Sequence, residues 1–315
     1  MSSIASSTLP ALMFATCVVL VYYLWARLWL TWLIRKARKK DPRRILTSRW
    51  AIVIHALAGI GLLCILYGWL VEPYWIQLNT IPIQTDKLSQ TRFRVVQISD
   101  LHCDTKMRLE DDLPARINGL KPDIIVFTGD CLNSAAAQSV FTETLKRMEA
   151  PLGKFAVTGN WDFSYWSQLK LFEGTGFVEL RSHTKRVEKD GESIVIAGLA
   201  FENGRHSQTV IDQLDPEAFT LLLYHNTSLL DYLDGKPVDL VLCGHTHGGQ
   251  IALPFYGALT TLSRHGKKYE AGLYHQGPIQ LYVNRGIGLE GGWAPRVRFC
   301  ARPEIAVFDI EPKPF

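Results

Sequence analysis

Seven side chains able to bind divalent cations fall in five places: Asp100 with His102, then Asp130, Asn160, His225, and His245 with His247. Each follows directly on a short apolar, β-branched run. Phe93–Ile98 leads into Ser99-Asp100-Leu101-His102, Ile124–Thr128 into Gly129-Asp130, and Phe155–Thr158 into Gly159-Asn160-Trp161-Asp162. Thr220–Tyr224 leads into His225-Asn226, and Leu240–Cys243 into Gly244-His245-Thr246-His247. Singly, each has an ordinary explanation: an Asp after a strand caps a helix, and Gly-Asp and Gly-Asn make turns. A lone histidine, likewise, is more often a satisfied core residue than a ligand. Their common placement at strand ends, where the loops of α/β folds converge, points instead to one site. A mixed set of carboxylate, amide and imidazole suits two first-row divalent metals, whereas Mg²⁺ and Ca²⁺ favour all-oxygen shells.

The elements that must position these residues are legible as short buried strands. Besides the five runs above there are Ile194–Gly198, Ile279–Val283 and Ile305–Ile310. Helical stretches lie between several of them, at Asp111–Leu120, Gln138–Met148 and Ser164–Phe172. That alternation predicts a layered α/β domain. The net charge of +4 gives no reason to invoke nucleic acid. Six cysteines, none spaced as CxxC, indicate neither a zinc ribbon nor a disulfide framework, and free thiols favour a reducing compartment.

The N-terminal part reads differently. No charge occurs from Leu9 to Ala26 or from Trp50 to Val71, and after Arg27 the first apolar run resumes to Ile34. A membrane span needs about 20 apolar residues, so transmembrane helices are expected over about 9–34 and 50–71. A cleaved signal peptide would need a basic start and a small-residue cleavage site, and neither is present. The expected division is a membrane anchor over 1–80 and a soluble domain over 81–315. Between the runs lie Arg35, Lys36, Arg38, Lys39, Lys40, Arg43, Arg44 and Arg49. The positive-inside rule places that loop in the cytoplasm of a bacterial inner-membrane protein, and the catalytic domain outside it. A hairpin entering from one face would put both in the cytoplasm.

The motifs ISDLH, TGD, GNWD, YHN and CGHTHGGQ, followed by VNRGIG and RFCARPE, resemble the calcineurin-like metallophosphoesterases. The last three resemble the membrane-associated or exported bacterial subgroup. The resemblance runs from about Arg94 to Ile310 and implies a four-layer αββα sandwich. It also implies that Asp100, His102 and His247 hold one metal and Asn160, His225 and His245 a second, with Asp130 bridging. Two such cations polarise a phosphoryl oxygen and lower the pKa of an attacking water. Manganese suits the mixed shell, with iron or zinc as alternatives.

One position departs from the family pattern. Where many members carry His after Gly-Asn, this chain has Trp161, which donates only through its indole N–H and is no acid. Either the leaving group needs little help, as in a pyrophosphate, or another residue takes over. Arg285 is a candidate for transition-state charge compensation and otherwise a loop residue. Asp162 either orients the site or caps the following helix. The UDP-2,3-diacylglucosamine pyrophosphohydrolases of lipid A synthesis belong to the same superfamily, and one branch has Arg at this position. Their reaction yields lipid X and UMP, and its partners would be a lipid-linked nucleotide and the bilayer. Phe163, Tyr165, Trp166, Leu169 and Phe172 would either line an apolar substrate face or pack into the core. The alternatives are a broad-specificity extracytoplasmic phosphodiesterase or lipid-headgroup phosphatase, and a non-catalytic membrane-tethered metal-binding scaffold.

Overall fold

The computed structural model describes residues 2–41, 43–201, 204–292 and 295–314. Two long helices come first: α1, Ser2–Ala37, and α3, Arg49–Leu70, joined through the short α2, Arg43–Thr47. Ser48 caps α3 by accepting the Ala51 N–H at 3.2 Å. Both helices are long and apolar enough to cross a membrane. They run antiparallel: the Tyr22 hydroxyl donates to the Ala58 carbonyl at 3.1 Å, and Trp29 packs against His55. The basic turn between them therefore lies at the end away from the rest of the chain.

The remaining chain forms two mixed sheets. The first has the order β1 (Gln77–Thr85), β14 (Glu304–Pro312), β2 (Phe93–Ile98), β3 (Ile124–Thr128), β4 (Lys154–Val157), β5 (Val178–Glu179). The second runs β12 (Gly272–Gln276), β13 (Ile279–Val283), β9 (Leu240–Cys243), β8 (Phe219–Leu223), β7 (Glu192–Gly198), β6 (His183–Lys189). A small hairpin, β10 (Ala252–Leu253) and β11 (Gly257–Ala258), stands apart. Strands β2 to β5 are parallel, as are β7, β8, β9 and β13, so their connections must cross over the outer faces.

Neighbouring strand residues point to opposite faces, and the core divides accordingly. Val95, Ile124 and Phe308 meet Ile196, Leu221 and Leu242 between the sheets. Val96, Ile125 and Phe127 face outward onto α4 (Leu113–Gly119) and α5 (Gln138–Lys146) through Ile117 and Phe141. Val195, Leu222 and Val241 face outward onto α7 (Gly204–Asp212) and the turn Thr227–Tyr232 through Ile211 and Leu230. The result is the αββα sandwich expected from the sequence.

Two differences stand out. β1 straddles residue 80, where the sequence places the boundary between anchor and domain, and pairs with β14 along its whole length. The helix expected at Ser164–Phe172 is instead α6, Asn160–Tyr165. Asp162 at its third position accepts the Gly159 N–H at 2.9 Å and fixes the start there. The following residues make single turns while Trp166, Leu169 and Phe172 pack on the first sheet's outer core.

The helical pair is tied to the sandwich through the RFCARPE segment. Buried Glu72, just past α3, accepts the backbone N–H groups of Cys300 and Ala301 at 2.9 and 2.6 Å. The Arg298 N–H donates to the Gly68 carbonyl at 2.8 Å, and Phe299 packs edge-on against Tyr67.

Candidate metal centre

The loops after β2, β3, β4, β8 and β9 open at the same end of the sandwich, and all seven residues singled out from the sequence meet there. Ligand atoms of Asp100, His102 and His247 lie within 4.8 Å of one another, as do those of Asp130, His225 and His245. Asn160 completes the second group: its Oδ1 is 3.0 Å from His225 Nε2 and 2.8 Å from His245 Nδ1. Asp130 stands between the groups, with Oδ2 at 3.2 Å from His225 Nε2 and 3.6 Å from His102 Nε2.

The backbone is forced into shape to achieve this. Asp100, His102, Asp130, His245 and His247 all have positive φ, between 40° and 72°. Left-handed backbone costs a non-glycine residue of order 1–3 kcal/mol, although Asp and His tolerate it better than most. The sharp reversal after each strand is what turns these side chains inward. Close packing then demands glycine alongside: a Cβ on Gly159 would overlap Asp130 Oδ1, and one on Gly244 would overlap Asp100 Oδ2.

The donor set fits divalent cations. Both ring nitrogens of buried His102 lack a hydrogen-bond partner, an unfavourable state for a side chain with no further role. Burial lowers the pKa of His102 and His245 to about 4 and pushes His247 down as well, favouring the neutral imidazoles that metals require. Burial opposes ionisation of Asp130, but His225, His102 and His245 around it outweigh that and hold its pKa at about 2. Burial likewise opposes protonation of His225, yet Asp130 and Asp100 raise it to about 10. His225 Nδ1 lies 2.7 Å from the Thr128 carbonyl, which fixes the ring and leaves Nε2 facing the cluster.

The surrounding residues hold this geometry. The Asp162 carboxylate accepts three backbone N–H groups, from Gly159, Asp130 and Cys131, each at 2.9 Å. Arg285 donates through Nε to Glu304 at 2.8 Å, so this cation is already paired. The buried Arg298, which sequence reasoning passed over, donates to the carbonyls of Arg285, Gly286, Gly288 and Ala301. That loop in turn donates to the Ser99 and Asp100 carbonyls through the N–H groups of Ile287 and Gly288. Arg298 thus links the segment that docks α3 to the first ligand.

Glu290 was also missed. It lines the same cavity as His245 and His247 and lies beside the Trp161 side chain. Burial raises its pKa, Asp130 adds to the rise, and Trp161 offsets part of it. The only sequence signal was its closeness to VNRGIG. The aromatic run after Trp161 divides in two. Trp166, Leu169 and Phe172 join the core, whereas Phe163 and Tyr165 remain exposed.

The fold and the paired ligand groups define a two-metal hydrolase of phosphate esters. Residues 93–249 match the calcineurin-like phosphoesterase family. The chain is 34% identical over 259 residues to an uncharacterized metallophosphoesterase of Bacillus subtilis, YkuE, with 78% of this chain and 89% of that protein covered. It is 29% identical over 274 residues to the UDP-2,3-diacylglucosamine pyrophosphatase LpxG of Chlamydia muridarum, covering 68% of this chain and 82% of the relative. Against the phosphodiesterase YaeI of Escherichia coli K12 it is 25% identical over 278 residues, covering 85% and 98%. The chain belongs to the calcineurin-like metallophosphoesterases and is a dimetal phosphoesterase.

Proposed function

We propose that the protein hydrolyses a phosphodiester or pyrophosphate bond in a membrane-associated substrate. The observation that carries this reading is the position of α1: Thr8, Leu12 and Ala15 line the same cavity as His245 and His247. A metal site opening beside a membrane-length helix meets its substrate at the bilayer. Asp100, His102 and His247 would hold one cation and Asn160, His225 and His245 the other, with Asp130 shared. When bound, the two cations polarise the phosphoryl group and acidify a water. Manganese suits the mixed oxygen and nitrogen shell, with iron and zinc as alternatives.

The chain's own residues do the rest. Asp162 fixes the Asp130 backbone, Thr128 orients His225, and Arg298 braces the loop behind Asp100. Arg285, held through Nε by Glu304, is the candidate for transition-state charge compensation. Glu290, beside Trp161, is the carboxyl group placed to protonate a leaving oxygen.

The likeness to LpxG makes UDP-2,3-diacylglucosamine the leading specific substrate, cleaved to lipid X and UMP. A second reading, an extracytoplasmic lipid phosphodiesterase or headgroup phosphatase, is favoured by the basic turn at the far end of the helical hairpin. Full-length protein in lipid nanodiscs with Mn²⁺, assayed on UDP-2,3-diacylglucosamine, aryl phosphodiesters and monoesters, separates the two. Absence of hydrolysis of every diester and pyrophosphate by metal-loaded protein would sink the proposal. A reporter fused after Phe315 decides the side: periplasmic activity there selects the second reading.

A further inference from the structure

We propose that the cavity between α1 and the loops following β9 seats a fatty acyl chain of the substrate lipid, with the lipid's phosphate end at the metal-ligand cluster. The cavity measures about 730 Å³, within the range of sites that enclose small organic ligands. Leu12, Ala15 and Val19 recur at helical spacing, forming one stripe of α1 as the first wall. Leu259 and Leu262 contribute the domain's side of the cavity, and His245 and His247 also line it. A chamber with mostly apolar lining that also includes two of the metal-ligand histidines matches an amphiphile: a free nucleotide or sugar phosphate would leave the apolar walls wet.

The occupant is a bilayer lipid because the second wall is fixed at the membrane exit. The Ala252 N–H donates to the Phe299 carbonyl at 2.8 Å, and Phe299 packs on Tyr67 in the last turns of α3. At the tip of the same β10–β11 hairpin, Phe255 is fully exposed, as expected of a side chain that dips into the interface. A lipid can thus enter sideways between α1 and this hairpin without leaving the bilayer. This inference rests on the phosphoesterase reading for the phosphate end only.

The test uses a readout that needs no turnover. Full-length protein is placed in nanodiscs containing phosphatidic acid with a diazirine at the end of one acyl chain, irradiated, and its adducts mapped. Adducts are expected on the segment 259–262, whose Leu259 is buried, in addition to those on lipid-facing α3 residues such as Ile60 and Leu63. Each buried methylene is worth about fourfold in affinity, so a tryptophan displacing two of them should lower cavity labelling by about fifteenfold. Ala15→Trp and, separately, Leu262→Trp should do this while labelling at Ile60 and Leu63 persists. Adducts confined to the lipid-facing surfaces, or cavity labelling unchanged in both variants, would overturn the proposal. Labelling at 259–262 with no hydrolysis of any substrate would leave the acyl site standing and remove the phosphoesterase reading.

Discussion

The carboxylate of Asp162 accepts the backbone N–H of Asp130 at 2.9 Å, and the backbone N–H of Trp161 donates to the Asp130 carboxylate at the same distance. The third and second motifs are therefore clamped from both sides, and Asp130, between the two ligand groups, cannot drift. Asp162→Asn keeps the size but turns one acceptor into a donor facing N–H groups. Loss of such an outer partner typically costs 10–100-fold in metal affinity, and a loss of about that size is expected in calorimetric titration with Mn²⁺. Asp162→Ala, which orphans three buried N–H groups at about 1–3 kcal/mol each, should also lower the melting temperature. Wild-type affinity in Asp162→Asn would mean the clamp does not serve the metal.

Metal loading should expel protons. Without metal, Asp130 and Asp100 hold the His225 pKa up at about 10, so its ring is protonated at neutral pH and must lose that proton to a cation. Burial holds Asp100 up at about 7, so it joins the release as pH falls. His102, at about 4, contributes none. Titrations in buffers of different ionisation enthalpy should report about one proton per chain at pH 8, approaching two at pH 6. A pH-independent release of zero would contradict the charge distribution described.

Glu290 should matter most when the leaving group is poor. Glu290→Gln should slow hydrolysis of an alkyl ester by roughly 10²-fold, the usual scale of proton donation, yet barely affect a p-nitrophenyl ester. Because burial raises its pKa, Glu290 donates below that raised value and fails above it. The alkaline limb of the alkyl-ester rate profile should therefore vanish in the variant. Equal slowing of both esters would assign Glu290 a structural part instead.

Away from the site, Glu192 accepts the N–H groups of Ser89, Gln90 and Thr91, the first of these hydrogen bonds lowering its pKa the most, to about 2. A depressed carboxylate stabilises the fold above its unfolded pKa, near 4.5, and loses that contribution as pH falls towards 2. Glu192→Gln should therefore flatten the dependence of the urea midpoint on pH across that window. An unchanged dependence would show that the chain before β2 is held by other contacts.

Much of this site was legible because its ligands sit where strands stop. Strand ends can be read from short apolar runs, and β2, β3, β8, β9 and β13 fall within a residue of the expected limits. The misplaced helix after Asn160 shows where pattern reading breaks down. Its start depends on Asp162 capping backward, and Trp166, Leu169 and Phe172 mimic a helical stripe while packing from separate turns. β1 was hidden because Gln77–Thr85 lacks a clean alternation of apolar and polar residues and contains Pro82, and its partner β14 lies more than two hundred residues away. Arg298 and Glu290 lie in or beside quoted motifs, but nothing in the sequence gave either a role. Their importance comes from which carbonyls and rings surround them in the folded chain.

The most direct test is a joint measurement of bound metal and diester hydrolysis in full-length wild-type protein and in His247→Ala. About two divalent ions per chain are expected in the wild type. The variant should retain one or fewer and lose turnover of an aryl phosphodiester, because His247 shares its group with Asp100 and His102. A His247→Ala protein that keeps both ions and normal turnover would contradict the metal centre itself.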